Sequence, residues 1–176
     1  MPRFRRYAEG EQCYFVTSGT HERRPLFRDR RLCLILLENL RFYHERMNFG
    51  LHGYVIMPDH IHLLITPREG SSISDIMRNL KSYAAREMRH ALCIDGPVWQ
   101  RRFYDRVIRN EEQFRSALDY IHLNPVKARL VQSASGYEFS SRRFWEEGLG
   151  PIALDPLDGH GWGRDLQEDG SVWVAG

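Results

Sequence analysis

The sequence predicts an α+β fold in which short strands alternate with amphipathic helices. Three observations indicate this class. Apolar residues recur at three- and four-residue intervals in three long segments, as expected of helices with one buried face. Four shorter segments are compact apolar or alternating runs bounded by turn residues, as expected of strands. The chain has 176 residues, of which 42% are hydrophobic, so one domain with a substantial core is expected.

The chain starts with a predicted strand and a predicted helix. Residues 13–18 form a compact apolar run that is typical of a strand. Residues 28–47 predict a helix, for which Asp29 is a suitable N-cap because its side chain can accept from a free backbone N–H. The buried stripe of this helix is predicted to contain Leu32, Leu36, Leu40, Tyr43 and Met47.

A β-hairpin is predicted next. Residues 51–57 and residues 60–66 both have the composition of strands, and Pro58 with Asp59 forms a tight link between them. So short a link joins antiparallel strands and leaves no room for a crossover. These two strands are therefore expected to pair directly with each other.

A second helix is predicted after the hairpin. Ser72 and Asp75 resemble a capping box, and the helix that they open is expected to run to about residue 92. Gly96 and Pro97 then break the chain. The buried stripe is predicted to contain Ile73, Met77, Leu80, Ala84 and Met88.

The last regular elements are a strand and a third helix. Residues 104–109 predict the fourth strand. Asn110 with Gln113 caps the helix that follows, and Asn124 with Pro125 is expected to end or kink it. The inward-facing residues of this helix are predicted to be Phe114, Ala117, Leu118 and Ile121.

The order of these elements predicts the architecture. Strands that alternate with helices around a central hairpin suggest a ferredoxin-like split β-α-β antiparallel sheet, with helices on one face and the other face open. Residues 1–147 are predicted to form this domain. Residues 148–176 are rich in Gly, Asp and Pro and are predicted to be a loosely ordered acidic tail.

Two histidines on the third strand are the most informative residues. His60 and His62 alternate along the strand, so both side chains point to the same face, with backbones roughly 7 Å apart. Ile61, Leu63 and Ile65 occupy the opposite face and can pack on a core. The pair predicts a metal site on the open face of the sheet. A histidine pair is too common a pattern to name a reaction.

The third helix carries the second group of candidate functional residues. On a helical wheel of about 100° per residue, Tyr120 lies beside the apolar stripe, and Asn124 lies one turn further along the same edge. His122 lies on the opposite flank, where a structural role is expected. Taken alone, Tyr120 reads as a boundary tyrosine and Asn124 as a helix terminator.

Composition limits the classes of function. No segment approaches the roughly 18 apolar residues of a membrane span, and no apolar signal region follows the basic start, so a cytoplasmic protein is predicted. Cys13, Cys33 and Cys93 are widely spaced and predict reduced core thiols. The tail from residue 150 carries a charge of −4, which leaves +6 on the remainder of the chain.

The basic residues suggest contacts with nucleic acid. All but two of the 25 basic residues are arginines, a side chain that binds phosphates in bidentate fashion and stacks on bases. An arginine-rich genome explains the same bias equally well. The candidate DNA-binding residues are Arg5, Arg6, Arg78, Lys81, Trp99, Arg101 and Arg102, with Arg3 and Arg89 as further candidates.

The motifs together resemble a known family. Residues 55–62 (VIMPDHIH) and residues 120–128 (YIHLNPVKA), together with residues 99–104 (WQRRFY) and 137–141 (YEFSS), are similar to the HUH single-tyrosine transposases. Among these, the REP-associated tyrosine transposases show the greatest similarity. The resemblance covers residues 4–144, and the tail matches no part of the family.

The resemblance implies a fold, a reaction and roles for residues. A ferredoxin-like domain is expected to cut and rejoin single-stranded DNA beside hairpins through a covalent phosphotyrosine. By position, Tyr120 is the nucleophile, His60 and His62 bind the metal, and Asn124 occupies the place of a third ligand. Mg²⁺ or Mn²⁺ is the implied metal, because two imidazoles and a carboxamide leave positions for phosphate oxygens. Asp59 precedes the histidines as it often does in the family.

Two other functions remain open at this stage. One is a domesticated protein, such as a repressor, that binds DNA hairpins without cleaving them. The other is a replication initiator or relaxase with the same metal pair, although such proteins are usually larger. The sequence decides neither the DNA sequence recognised nor whether the protein is a monomer or a homodimer.

Overall fold

A four-stranded antiparallel sheet forms the centre of the molecule. The computed structural model describes residues 12–47 and 49–155. The strands lie in the order β2-β3-β1-β4, which is the ferredoxin-like order, so the predicted fold class is confirmed. The elements are β1 (Cys13–Gly19), α1 (Arg30–Arg46), β2 (Phe49–Met57), β3 (His60–Pro67), α2 (Ile73–Leu92), β4 (Tyr104–Ile108), α3 (Glu111–Lys127) and α4 (Arg142–Glu147).

The helices start at the predicted caps. The side chain of Asp29 accepts from the backbone N–H of Arg31 at the start of α1. Ser72 does the same at α2, and Asn110 does so at α3 with the backbone N–H of Gln113. Each cap satisfies a backbone donor that the first helical turn leaves free, and therefore fixes where the helix begins.

The sheet is covered on both faces. Helices α1 and α2 bury one face, which contains Ile61, Leu63 and Ile65 of β3 as predicted. The second face was expected to be open, but α3 packs on it through an apolar stripe. The physical reason is that the apolar stripe of α3 is stabilised by burial, and the second face of the sheet offers an apolar surface beside the histidines. That surface consists of Cys13, Phe15, Val55, Met57, Leu64 and Ile108.

Helix α3 is held close to β2. A Cβ atom on Gly53 would lie 2.7 Å from Cδ1 of Leu118, so the glycine permits the close approach of the helix. The Oγ of Ser141 accepts from the backbone N–H of Tyr54 at 2.9 Å and lies 2.9 Å from Nε2 of His122 on α3. These contacts fix the helix that carries Tyr120 relative to the sheet.

The first residues of the predicted tail pack on the domain. Ile152 and Leu154 are 2% and 7% exposed and belong to the core under α1 and α2. The backbone N–H of Asp155 donates to the carbonyl of Leu51 at 2.8 Å, and the Asp155 carboxylate accepts from the backbone N–H of Leu51 at 2.9 Å. The domain therefore includes residues 148–155, whereas residues 156–176 of the predicted tail lie outside the described residues.

Replacing Ile152 with alanine is expected to lower the free energy of unfolding by about 2–5 kcal/mol, because the change leaves a cavity in the core. Leu149→Ala is the matched control, since Leu149 is three residues away but 62% exposed, and it should change stability by less than about 0.5 kcal/mol. Urea denaturation of both variants measures the difference. Equal stabilities would show that residues 148–155 do not contribute to the domain.

Two of the three cysteines lie in the core as predicted, whereas the third does not. All three cysteines are free, and Cys13 and Cys33 are buried, whereas Cys93 is exposed. Burial raises the pKa of the Cys13 and Cys33 thiols to about 12. In the described ranges, no helix has the length and apolar character needed to cross a membrane.

Candidate active site

The two histidines of β3 converge on one point. His60 and His62 lie on the face of the sheet that α3 covers, and their Nε2 atoms are 3.1 Å apart. The ring centroids are separated by 4.7 Å, with the planes at 76°. The predicted alternation therefore brings one nitrogen of each ring to a shared position.

The other nitrogen of each ring is held by a neighbour. Nδ1 of His60 lies 2.5 Å from Oδ1 of Asp59, and Nδ1 of His62 lies 2.8 Å from Oγ1 of Thr17 on the adjacent strand β1. An ionised carboxylate only accepts, so Nδ1 of His60 carries the proton and donates it. In that tautomer a neutral His60 ring would present the electron pair of Nε2 to a metal, as coordination requires.

His62 is a neutral imidazole. Burial, together with the neighbouring His60 and Arg23, lowers its pKa to about 3. The ring is 4% exposed and stacks on Phe15, with centroids 5.2 Å apart. A neutral, fixed imidazole is the form that binds a divalent metal.

The distance between the two nitrogens fits a shared metal ion. Two ligands at right angles, each about 2.1 Å from one ion, lie about 3.0 Å apart. The observed 3.1 Å separation of the Nε2 atoms agrees with that geometry. Within residues 12–47 and 49–155, no group of three or more His, Cys, Asp or Glu side chains is placed to hold a metal. A closed zinc site built from such ligands is therefore absent from the described chain.

Tyr120 stands directly beside the histidines. Its ring centroid lies 5.3 Å from that of His62 and 5.7 Å from that of Phe15, in edge-to-face contacts with both. The side chain is 44% exposed, so the ring is supported by the sheet while the residue remains open to solvent. Nζ of Lys127 lies 5.5 Å from the Tyr120 ring centroid. The predicted position of Tyr120 at the edge of the apolar stripe is therefore confirmed.

Asn124 and His122 have different surroundings on α3. Asn124 is half-buried one turn after Tyr120, and its backbone carbonyl accepts from the N–H of Ala128. The helix does not end at Asn124, because it continues through the buried Pro125 to Lys127. His122 is 1% exposed and bonded to Ser141, and burial lowers its pKa to about 3. As expected from its flank, His122 has a structural role, because it bonds to Ser141.

The predicted DNA-binding residues fall into distinct groups. Trp99 requires a correction: it is 7% exposed and packs against Phe27, with ring centroids 5.4 Å apart, because its large apolar ring fills the core beside α1. Its ring is thus not available for stacking on a base. Arg5 and Arg6, like Arg3, lie outside the described residues. Arg101 and Arg102 are exposed.

The candidates on α2 already have partners. Arg78 forms an ion pair with Asp75 at 2.5 Å, and Nζ of Lys81 donates to the carbonyl of Gln100 at 2.8 Å. Nε of Arg89 donates to the carbonyl of Gly96 at 3.2 Å. Lys81 therefore holds the loop before β4 in place, and burial lowers its pKa.

The sequence prediction missed the contribution of β1 and β4 to this face. Thr17 pairs with His62 on one side and with Tyr104 on the other, so all three side chains share the face. Arg106 pairs with Phe15 and lies over its ring at 5.6 Å. Alternation along residues 104–108 could have shown which of these side chains share a face. The strand order was also needed, because it places β4 next to β1 in the sheet that carries the histidines.

Removing the side chain of Asp59 is expected to weaken metal binding without unfolding the domain. Asp59→Ala frees the ring of His60 to rotate, and loss of such a partner typically costs 10- to 100-fold in metal affinity. The measurement is the affinity of the protein for Mn²⁺, by isothermal titration calorimetry. Glu22→Ala, at a nearby exposed carboxylate, is the control.

At high Mn²⁺ the Asp59→Ala protein should still saturate with metal if the carboxylate acts by positioning His60. A variant of unchanged thermal stability that binds no Mn²⁺ would refute that role. An affinity for Mn²⁺ equal to that of the unsubstituted protein would refute it as well.

Comparison with known proteins connects this site to a family. The family model described as "Transposase IS200 like" matches residues 12–124. A REP-associated tyrosine transposase of Escherichia coli (strain K12) is 30% identical over 154 residues, which are 86% of this chain and 90% of that protein. A solved structure of a REP-associated tyrosine transposase bound to a REP hairpin has a TM-score of 0.68 and 29% identity, covering 89% of this chain and 92% of that one.

Proposed function

This chain belongs to the IS200-like transposase family and, within it, to the REP-associated tyrosine transposases, and we propose that it cuts and rejoins single-stranded DNA beside hairpins through Tyr120. The observation that carries the proposal is the position of the Tyr120 ring, 5.3 Å from His62, whose Nε2 meets that of His60 at 3.1 Å. A nucleophile that is 44% exposed and a pair of candidate metal ligands thus lie side by side.

The reaction uses the hydroxyl of Tyr120. Its oxygen attacks the phosphorus atom of the scissile phosphodiester and forms a phosphotyrosine bond. The bond from phosphorus to one deoxyribose oxygen breaks; the phenol gives up its proton and the leaving oxygen takes one up, so that it departs as a hydroxyl and protons balance. In the reverse step a DNA hydroxyl attacks the phosphotyrosine, and the phenol leaves. The bond energy is retained in the covalent link, which is why rejoining needs no external energy source.

The metal site would consist of His60, His62 and Asn124. A divalent cation supplies neutralisation of the phosphate charge, which lowers the repulsion that an incoming oxygen meets. Imidazole nitrogens suit Mn²⁺, and the carboxamide oxygen of Asn124 suits Mn²⁺ and Mg²⁺ equally. Asn124 is one turn from Tyr120, so one helix would carry both the nucleophile and the third ligand.

The neighbours of Tyr120 restrict its ring. Phe15 and His62 both contact it edge to face, and together they leave it little freedom to turn away from the histidines. Such fixed placement lowers the entropic cost of the reaction, because the ring has already lost the freedom that an unrestrained nucleophile would lose on reaching the phosphate. The cation of Lys127, 5.5 Å from the ring centroid, favours a negative charge that develops on the phenolic oxygen.

DNA binding would involve the basic residues around this face. Arg101 and Arg102 are exposed in the loop before β4, and Arg5 and Arg6 precede the described residues. Lys81 and Arg78 lie on α2 and make local contacts, so any role in binding phosphates would be additional to those. The hairpin as a substrate is supported by the solved relative, whose structure contains a REP hairpin.

The experiment that tests the proposal is a search for a covalent complex. The protein is incubated with end-labelled hairpin DNA that carries single-stranded flanks, in the presence of Mn²⁺, and is then denatured. A labelled band at the mass of protein plus DNA fragment is expected. DNA that binds under native conditions but forms no such band with Mn²⁺ or Mg²⁺ would contradict cleavage and would favour a hairpin-binding protein without turnover.

A further inference from the structure

We propose that a cleft beside the histidine pair binds one unpaired nucleobase of the DNA strand whose phosphate lies at Tyr120. This inference rests on the proposed function, because it names a subsite for the same substrate. The cleft has a volume of about 460 Å³, within the range of about 300–1,000 Å³ that is typical of small-ligand pockets. Its lining consists of Thr17, Gly19, Arg23, Gln100, Arg102, Phe103 and Tyr104.

The cleft adjoins the candidate active site through shared residues. Oγ1 of Thr17 lies in its lining and is 2.8 Å from Nδ1 of His62. Gly19 pairs with His60 across the two strands, and Nε of Arg23 is 3.5 Å from the carboxylate of Asp59. If one phosphate of a DNA strand lies at the histidines, the adjoining nucleotide can therefore reach this cleft.

Tyr104 provides a stacking surface in the cleft. It pairs with Thr17 in the β1–β4 register, so its side chain lies on the face of the sheet that carries the histidines. The strand order places it two interstrand spacings, or about 10 Å, from β3. The side chain is 63% exposed, the most exposed of the large apolar side chains in the described chain. Aromatic rings on an open, positively charged face are the surfaces on which unpaired bases stack.

Gln100 is placed to contact the edge of a base. Its backbone is fixed on both sides, because its N–H donates to the carbonyl of Gly19 at 2.9 Å and its carbonyl accepts from Nζ of Lys81 at 2.8 Å. A Cβ atom on Gly19 would lie 3.0 Å from Cδ and Oε1 of Gln100 and 3.2 Å from Nη1 of Arg23. The glycine thus leaves the space into which these two side chains fold.

The chemistry of the lining favours a nucleotide. The amide of Gln100 offers two donors and one acceptor, as the edge of a base requires. Arg102 and Arg23 contribute guanidinium groups for a phosphate, and Tyr104 contributes the aromatic face. An inorganic phosphate would use the arginines alone and would leave Tyr104 without a role. For this reason the structure assigns the cleft to a base together with its phosphate.

The test is an abasic scan of the DNA. Hairpin DNA with single-stranded flanks is prepared with an abasic site at each flanking position in turn. Binding is measured by fluorescence anisotropy with Mn²⁺, using the Tyr120→Phe protein so that no cleavage interferes. One flanking position is expected at which loss of the base weakens binding about tenfold, the effect of one stacked base.

Variants of Tyr104 identify the partner of that base. Tyr104→Ala, combined with Tyr120→Phe, should weaken binding of the intact DNA about tenfold. In that protein the abasic site should cause no further loss of affinity. Tyr104→Phe keeps the ring and should preserve both the affinity for intact DNA and the loss of affinity caused by the abasic site. Gln100→Ala should reduce the discrimination between bases at the same position, while Tyr83→Phe, on the opposite side of the sheet, should change nothing.

Several results would overturn the subsite. They are the absence of any base-sensitive position, an abasic cost that persists unchanged in Tyr104→Ala, and a failure of the flanked hairpin to bind at all. The outcome is separable from that of the proposed function. A covalent complex without a Tyr104-dependent position refutes the subsite alone, whereas a Tyr104-dependent position without a covalent complex supports the subsite and refutes cleavage.

Discussion

Replacing Tyr120 with phenylalanine is expected to abolish the covalent DNA complex and to leave hairpin binding within about twofold of the unsubstituted protein. The substitution removes only the hydroxyl oxygen that would attack the phosphorus. The ring contacts with His62 and Phe15, at 5.3 and 5.7 Å between centroids, depend on the ring and are retained. Loss of the nucleophile in enzymes that form covalent intermediates typically reduces the rate by about 10⁴-fold or more.

The two readouts for Tyr120→Phe are the labelled band after denaturation and the affinity under native conditions. Tyr83→Phe is the matched control: Tyr83 also stands on a helix and contacts other rings, but it belongs to α2 on the opposite face. It should form the covalent complex at the normal rate. A complex of undiminished yield from Tyr120→Phe would mean that another residue is the nucleophile.

Replacing either His60 or His62 with alanine is expected to reduce cleavage by about 10³-fold with Mg²⁺ or Mn²⁺. Each variant leaves one imidazole where two now meet at 3.1 Å, so the divalent cation is held too weakly to offset the phosphate charge. That charge offset is worth several kcal/mol in the transition state, and about 4 kcal/mol corresponds to a 10³-fold change in rate. Cleavage rates measured over a range of metal concentrations provide the test.

The control for the histidine variants is His90→Ala, because His90 is an exposed histidine of α2. It should cleave normally. His62 is 4% exposed and its removal leaves a cavity, so thermal unfolding of each variant must accompany the rates. Folded His60→Ala and His62→Ala proteins with full activity in both metals would remove the pair from the mechanism.

The local sequence was sufficient to predict the four strands, the three long helices and the shared face of the histidines, but not α4. Alternation along β3 is a property of any extended strand, so the common orientation of His60 and His62 did not depend on the remainder of the fold. The caps at Asp29, Ser72 and Asn110 are equally local, and each was predicted correctly. The edge position of Tyr120 followed from the helical period alone.

Features that depend on tertiary packing were predicted less well. The apolar stripe of α3 showed that the helix is buried but not on which face, and the structure places it over the face expected to be open. Trp99 was predicted to bind DNA, yet the space beside Phe27 accommodates its ring in the core. Pro125 is tolerated inside α3, which therefore continues to Lys127 beside the Tyr120 ring.

The end of the domain shows the same limitation. Glycine and aspartate around residues 148–158 suggested a loose tail, but Ile152 and Leu154 are buried. Asp155 also accepts from the backbone N–H of Leu51. Two apolar residues in a polar segment carry little periodic signal, so only the packing against the core reveals them. Any deletion meant to remove the acidic tail should therefore start after Asp155.

The most direct measurement is to identify the residue that carries the DNA. The covalent complex is purified, the DNA is trimmed with nuclease, and the protein is digested with trypsin. Cleavage after Arg115 and Lys127 releases residues 116–127, in which Tyr120 is the only tyrosine. A nucleotide mass on Tyr120 in this peptide is the predicted result. A nucleotide on any other peptide, or on another residue of this one, would contradict the assignment.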